Sequence, residues 1–381
     1  MVLIIIGGTV LTPSEQIEDA VIFIDNGKIT EITTRSALKN LPTDQVIDAT
    51  NKFIVPGFID PHTHIGIYRL EGDPGDHGID LVDPITPQLN VVEGMDVFDP
   101  AFDGALSAGV TTVGILPGAY MSFGSSVERI TIMPGQGAIF KTNKRMIEES
   151  AFVKVAVGEH PKRFLAEQKL SPTTRMGIMS ELRKMFLKAK EYSLKEEKNY
   201  DPKLEALVPV IEGKIPLRVH IHTARDIVSV LRFSQEFSIK VILDHATEAF
   251  LVKDELTDVP IVYGPIVFSK RGTELENLDS SNLSKIRELV FSITTDHPTI
   301  PIEYLDMLAG LATAEGYSIS QALSLITVNA AKILGIDDRV GSIEPGKDAD
   351  IVILSGEPFS PDTHVEYTIV DGEVCYKGGI D

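Results

Sequence analysis

Two histidines stand two residues apart, His62 and His64, at the end of the run Phe53-Ile54-Val55-Pro56-Gly57-Phe58-Ile59-Asp60-Pro61-His62-Thr63-His64. On an extended backbone, side chains at i and i+2 leave the same face. Both imidazoles can therefore reach one ion, and imidazole is the commonest side-chain metal ligand. Three more apolar runs end in groups of the same kind: His220 and His222 at the end of 217–221, His245 after 240–243, and Asp296 after 289–294. If these runs are parallel strands of a closed barrel, their C-terminal ends share one face, where catalytic groups gather. Metal-ligand side chains at four strand ends on one face imply a bound divalent cation. Such an ion lowers the pKa of its water to about 7, and a carboxylate in reach can take the proton and pass it to a leaving group.

Other residues extend or compete with this set. Lys154 interrupts the apolar run 152–157; a lysine there is costly unless its charge is removed or paired, or unless it points to solvent from the strand start. Glu159, just beyond that run, is the alternative group from the same strand. His220 and His222 share a strand face, so either could be the ligand; His220 lies deeper and is preferred, with His222 left to the substrate or to supporting a ligand. Arg225 opens the following helix with Asp226, and either caps it or faces an anionic substrate. His297 follows Asp296 and either hydrogen-bonds it or is structural; His77 lies on a long loop and His364 in a distal, exposed β region. The turn Pro134-Gly135-Gln136-Gly137-Ala138 offers backbone N–H groups to an anion, or is simply tight.

These groups need a scaffold that aligns strand ends. Residues 1–50 read as short strands at 2–6, 20–24, 28–32 and 46–49, with Asn26-Gly27 as a hairpin turn. From residue 53 the pattern changes to apolar strands alternating with amphipathic helices, the mark of a parallel βα array. Eight strands are expected, at 53–59, 110–116, 137–141, 152–157, 217–221, 240–243, 260–263 and 289–294, with helices including 175–196, 224–237, 301–315 and 320–334. Residues 71–100, rich in Gly, Pro and Asp, break the rhythm and read as a cover over the barrel mouth. Strands return at 350–354, 366–370 and 373–376, the last two joined by Asp371-Gly372. The two β-rich ends are expected to pack as one small domain of residues 1–55 and 343–381, leaving 56–342 as the barrel.

Composition narrows the class. With 381 residues, 43% of them hydrophobic, the chain can bury a large core. No apolar run approaches the roughly 20 residues of a membrane span, and the opening Met1–Gly8 run reads as a strand, too short for a signal peptide. A single cysteine, Cys375, excludes an internal disulfide framework, fits a reducing cytoplasm and leaves no thiolate pair for a metal, so an ion here must use His, Asp, Glu or Lys. The net charge of -20 argues against nucleic acid or an anionic membrane as partner.

Taken together, several segments resemble the amidohydrolase superfamily, nearest its imidazolonepropionase-like branch. They are Pro56-Gly57-Phe58-Ile59-Asp60-Pro61-His62-Thr63-His64, Ala108-Gly109-Val110-Thr111-Thr112-Val113, Val219-His220-Ile221-His222, Asp244-His245-Ala246-Thr247-Glu248 and Thr295-Asp296-His297-Pro298, then Asn329 to Gly335 and Gly341 to Asp350. The resemblance implies a distorted (β/α)8 TIM barrel, an α/β fold, flanked by a β-sandwich built from both chain ends. It implies that His62 and His64 bind a divalent ion with His220 and His245, and that Asp296 holds the attacking water, acts as general base and touches the metal. Lys154 resembles the lysine that is carboxylated and bridges two ions in members such as dihydropyrimidinases; other members use a glutamate, here Glu159. Zinc is the default ion, with manganese, iron or cobalt also fitting, as one ion or two. Glu159, His222, Arg225 and His297 fall on the substrate side. The implied reaction is hydrolysis of a non-peptide C–N bond of a small-molecule amide, cyclic or linear, by a metal-activated hydroxide. The same site would serve a deaminase of aminated heterocycles or a dipeptidase; a non-catalytic scaffold is the rival of another class. The expected setting is cytoplasmic, with a homo-oligomer possible.

Overall fold

The computed structural model describes the chain except residues 1, 13–14, 39–44, 69–77, 79, 81–82, 119, 124–126, 160, 163–164, 166–168, 170, 271 and 380–381. His77 and much of the expected cover lie outside the described residues.

One sheet has eight strands, which we label β1 (Phe58–Thr63), β2 (Val110–Ile115), β3 (Gly135–Lys141), β4 (Met146–Ala156), β5 (Leu217–Ile221), β6 (Val241–His245), β7 (Ile261–Tyr263) and β8 (Phe291–Ile293). They are hydrogen-bonded in chain order, and a parallel bridge between Thr63 and His297 brings the last strand back to the first. The result is an α/β fold with a nearly closed barrel. All six residues of β2 are buried, as expected where side chains fill the interior on one face and other elements cover the second.

Two strands differ from the expectation. The run 53–59 is shared between sheets: Phe53–Pro56 pairs with Ile351–Leu354 in the chain-end sheet, and β1 begins after Gly57. Any side chain at Gly57 would collide with Thr111, so the changeover needs glycine. More consequentially, β3 runs antiparallel to both β2 and β4. Only residues 142–145 separate β3 from β4, with Lys144 at φ 73°. A parallel crossover needs a dozen or more residues, so this short link must be a hairpin. The Gly-rich turn at 134–138 becomes the start of β3, where the Gln136 N–H donates to Leu89 O at 2.7 Å instead of facing an anion.

Helices α1 (Arg175–Ser193), α2 (Pro202–Ile211) and α3 (Ala224–Phe237) follow β4 and β5; α4 (Leu305–Ala314), α5 (Ile319–Leu325) and α6 (Val328–Leu334) follow β8. The Thr174 and Thr223 side chains cap α1 and α3 by accepting backbone N–H groups. Phe186 of α1 packs edge-on against Phe233 and Phe237 of α3, with centroids 4.9 and 5.5 Å apart. Each such buried ring is worth about 1.5–3 kcal/mol over exposure. No helix among the described residues is long and apolar enough to cross a membrane.

Both chain ends meet in a second sheet, also of eight strands, in which Leu3–Leu11, Gln16–Asp25, Lys28–Thr34, Val46–Asp48 and Phe53–Pro56 join Ile351–Leu354, Val365–Val370 and Glu373–Lys377. These strands are joined in one continuous hydrogen-bonded ladder. Its hairpins are those expected: Asn26-Gly27 and Asp371-Gly372 have positive φ at both residues, the backbone that two-residue hairpin turns require.

Candidate metal centre

At the C-terminal end of β1, His62 and His64 both turn toward the residue just past β8. Nε2 of each lies 3.4 Å from Asp296 Oδ1, and one ligand atom from each of the three residues falls within 4.8 Å of the others. His62 is buried, while 12% of the His64 side chain and 16% of Asp296 remain exposed, which opens the group on that side. His64 Nδ1 is 2.7 Å from Leu116 O. A carbonyl only accepts, so Nδ1 carries the proton and Nε2 offers its lone pair inward. His245 is fixed in the same way, Nδ1 lying 2.6 Å from Gly264 O.

The other imidazoles pack ring to ring beside this group. Centroids of His62 and His245 are 5.0 Å apart, and those of His245 and His220 4.5 Å. His222 stacks on His245 at 5.2 Å, and its Nδ1 is 2.8 Å from Thr247 Oγ1. The backbone is unusual at three residues here: His245, Ala246 and Asp296 have φ of 70°, 43° and 53°. Left-handed residues other than glycine cost about 1–3 kcal/mol each and cluster at functional sites.

Lys154 points inward. It is buried, with Nζ 2.7 Å from Asp244 Oδ2 and 3.4 Å from His62 Nε2. The solvent-facing alternative is excluded. Asp244, at the end of β6, is the hub of this corner: it accepts from Lys154, and from Arg218 through Nε at 2.9 Å and through Nη2, and it lies 3.2 Å from His62 Nδ1. Arg218 Nη1 also donates to Pro61 O at 3.1 Å, binding the hub to β1.

Neither Arg218 nor Asp244 stood out in the sequence as a site residue. Arg218 carries a readable signal, because it precedes His220 by two in an apolar strand and must share its face. Asp244 is visible only once β5 and β6 are in register, which sets His220 beside Asp244.

Protonation states suit a metal. Burial, followed by the Lys154 charge, holds the His62 pKa well below its ordinary value, and burial lowers that of His245. Burial would raise the Asp296 carboxyl, but the surrounding imidazoles of His64, His245 and His62 outweigh it and hold it low. Neutral imidazoles and an ionised carboxylate are the forms that bind a cation. Burial also disfavours charge on Lys154, whose pKa is lowered despite Asp244.

The substrate-side candidates are placed differently. Glu159 is committed elsewhere, its Oε2 2.9 Å from Lys162 Nζ and 3.0 Å from Arg175 Nη1. Arg225 is exposed and lines a cleft of about 350 Å³ with Arg175, Arg183 and Asp226. His297 is buried and does not bond Asp296; its Nδ1 accepts from Ile302 N–H at 3.1 Å, and burial lowers its pKa to about 4.

Comparison with known proteins agrees on one family. The model of the "Amidohydrolase family" matches residues 279–376. A solved amidohydrolase from Thermotoga maritima superposes with a TM-score of 0.90 and 33% identity, over 99% of this chain and 100% of that one. Imidazolonepropionase of Clostridium tetani is 26% identical over 95% of this chain and 91% of its own length. Amidohydrolase tasK of Hapsidospora irregularis is 24% identical over 92% of this chain, which spans only 39% of that protein.

Proposed function

Because this chain belongs to the amidohydrolase family, in its imidazolonepropionase-like branch, and is an enzyme hydrolysing carbon–nitrogen bonds, we propose that it cleaves a non-peptide amide, cyclic or linear, beside His62, His64 and Asp296. One observation carries the reading: two histidine Nε2 atoms, one of them with its tautomer fixed by a carbonyl, converge at 3.4 Å on a single oxygen of Asp296. These residues would hold a divalent ion, with His245 and His220 adjoining, and zinc is the first choice for such a donor set. When bound, the ion supplies a Lewis acid for the amide carbonyl and a water acidified to about pKa 7.

Asp296 is the general base. Its carboxylate is ionised at neutral pH, and the Thr299 hydroxyl donates to Oδ2 at 3.0 Å, leaving Oδ1 turned to the histidines. A carboxylate so held takes a proton from the attacking water and returns it to the departing nitrogen. Lys154 sets the number of ions. As an amine held on Asp244 it would leave the histidines and Asp296 to hold a single ion, whereas carbon dioxide added to the neutral amine, with loss of a proton, would give a carbamate whose oxygens could help hold a second. His222, stacked on His245, and the exposed Arg225 are assigned to the substrate side.

The test follows product formation from a panel of cyclic amides, linear amides and aminated heterocycles, with and without a chelator. The expected result is a new carboxylate from an amide, lost on chelation, with Asp296→Asn lowering kcat by about 10²–10⁴. Ammonia released from an aminated heterocycle with its ring intact, and no amide cleaved, would replace the reading with deamination. Full activity in Asp296→Asn would remove Asp296 from the base role.

A further inference from the structure

The barrel closes between β8 and β1, and the seam is unlike a strand ladder. Among the described residues its backbone contacts are the Thr63–His297 bridge and His64 N–H donating to His297 O at 2.8 Å. The carboxylate of Asp60 carries the rest. It is completely buried and accepts from Thr294 Oγ1 at 2.5 Å, Thr295 Oγ1 at 2.5 Å, Thr295 N–H at 3.1 Å and His62 N–H at 3.3 Å. The same two hydroxyl oxygens hold the residues that follow. Thr294 Oγ1 accepts from Asp296 N–H at 3.2 Å, and Thr295 Oγ1 from His297 N–H at 3.1 Å. Thr294 Oγ1 also lies 2.7 Å from His62 O. Asp296 itself sits in the left-handed region at φ 53°.

We propose that Asp60 is a positioning residue for Asp296, fixing through Thr294 and Thr295 the turn that brings the Asp296 carboxylate to His62 and His64. A backbone conformation that non-glycine residues avoid persists only where its surroundings over-determine it. Here two of the holding bonds, to Thr294 Oγ1 and Thr295 Oγ1, lead on to one carboxylate, on the strand that ends at the two histidines. A charged acceptor makes these hydrogen bonds short and strong. Asp60 thus ties the two halves of the candidate centre together without touching substrate or ion. The inference rests on the reading of His62, His64 and Asp296 as a metal group.

The test is cobalt(II) titration of the purified protein, following the visible d–d absorption, in the parent and in Asp60→Asn, Thr295→Val and Thr295→Ser. Groups that orient metal ligands change affinity about 10–100-fold when removed. Asp60→Asn and Thr295→Val are expected to bind cobalt at least about tenfold more weakly with an altered spectrum, at unchanged far-ultraviolet circular dichroism. Thr295→Ser, which keeps the hydroxyl, is expected to match the parent. Thr295→Val, with its serine control, answers the question even if Asp60→Asn fails to fold. Parental affinity and spectrum in Thr295→Val would overturn the role given to Asp60 and leave the metal reading standing. A parent protein that takes up no cobalt would instead overturn the metal reading, and this inference with it.

Discussion

Two lysines are buried on the neighbouring strands β3 and β4, and their surroundings push them in opposite directions. Lys141 Nζ has three carboxylates, Asp350 at 2.7 Å, Asp348 at 3.1 Å and Asp371 at 3.2 Å, all from the chain-end region. Burial would lower its pKa, but those three charges more than reverse this and raise it. Lys154 has one carboxylate, Asp244, which it shares with Arg218, and burial lowers its pKa. In the sequence both lysines belong to apolar runs, Lys141 at the end of one and Lys154 inside the other. The difference lies in the count of opposing charges. A lysine with surplus acid is a permanent cation and a structural clamp. One that is short of acid is easily neutralised, and groups perturbed in that way mark functional sites.

The reversal of β3 produces this division. Because β3 runs backward, its last residue Lys141 is level with Thr112 near the start of β2, while Lys154 is level with Gly135 at the other end of the hairpin. One lysine thereby meets the chain-end sheet and the other meets the histidines.

The comparison can be broken most forcefully at Asp244. Asp244→Asn leaves Arg218 and Lys154 with no carboxylate among these contacts, and breaking a buried pair typically costs about 3–5 kcal/mol. Denaturant unfolding should show a loss of that size, together with impaired zinc uptake. Lys141→Met comes next. It leaves the buried Asp348 and Asp350 and the partly exposed Asp371 without their common cation, so a loss of about 3 kcal/mol is expected, with zinc affinity unchanged because the clamp is remote from the histidines. Lys154→Met sharpens the contrast from the other side. Asp244 and Arg218 remain a balanced pair, so unfolding should shift by only about 1 kcal/mol, while metal affinity falls about 10–100-fold. Equal behaviour of the two lysine variants in both measurements would dissolve the distinction.

A pH-dependent test concerns a cluster where, as at Lys141, one cation serves three acids. Arg175 reaches Asp226 at 2.9 Å, Glu159 at 3.0 Å and Glu274 at 3.2 Å. Burial raises the Glu274 pKa from 4.5 to about 7. Its folded value lies above its unfolded value, so between these limits the folded protein holds the extra proton. The contribution is fully present below about pH 4.5 and is lost as pH rises to about 7. The unfolding free energy of the parent minus that of Glu274→Gln, measured across this window, should fall with pH; a flat difference would mean that Glu274 ionises normally.

Much of this was legible in the sequence because the physics was local. The i, i+2 spacing of His62 and His64 puts both on one face whatever surrounds them, and Asn26-Gly27 selects its hairpin by backbone freedom alone. The direction of β3 was equally local, since a four-residue link cannot cross over, but the βα rhythm on either side masked it. The partners of buried charges were not legible. Asp244 lies 90 positions from Lys154, and Asp350 lies 209 from Lys141, so only register and closure bring them together. The same holds for Asp60, whose threonine partners are some 230 positions away.

The most direct test of the candidate centre is zinc uptake, measured as bound metal per chain after equilibration and desalting, in the parent and in the His62→Ala, His64→Ala double variant. The expected result is one or two equivalents in the parent and none in the folded double variant. A parent chain that retains no zinc, or a double variant that binds as the parent does, would contradict the assignment of His62, His64 and Asp296 as the metal group.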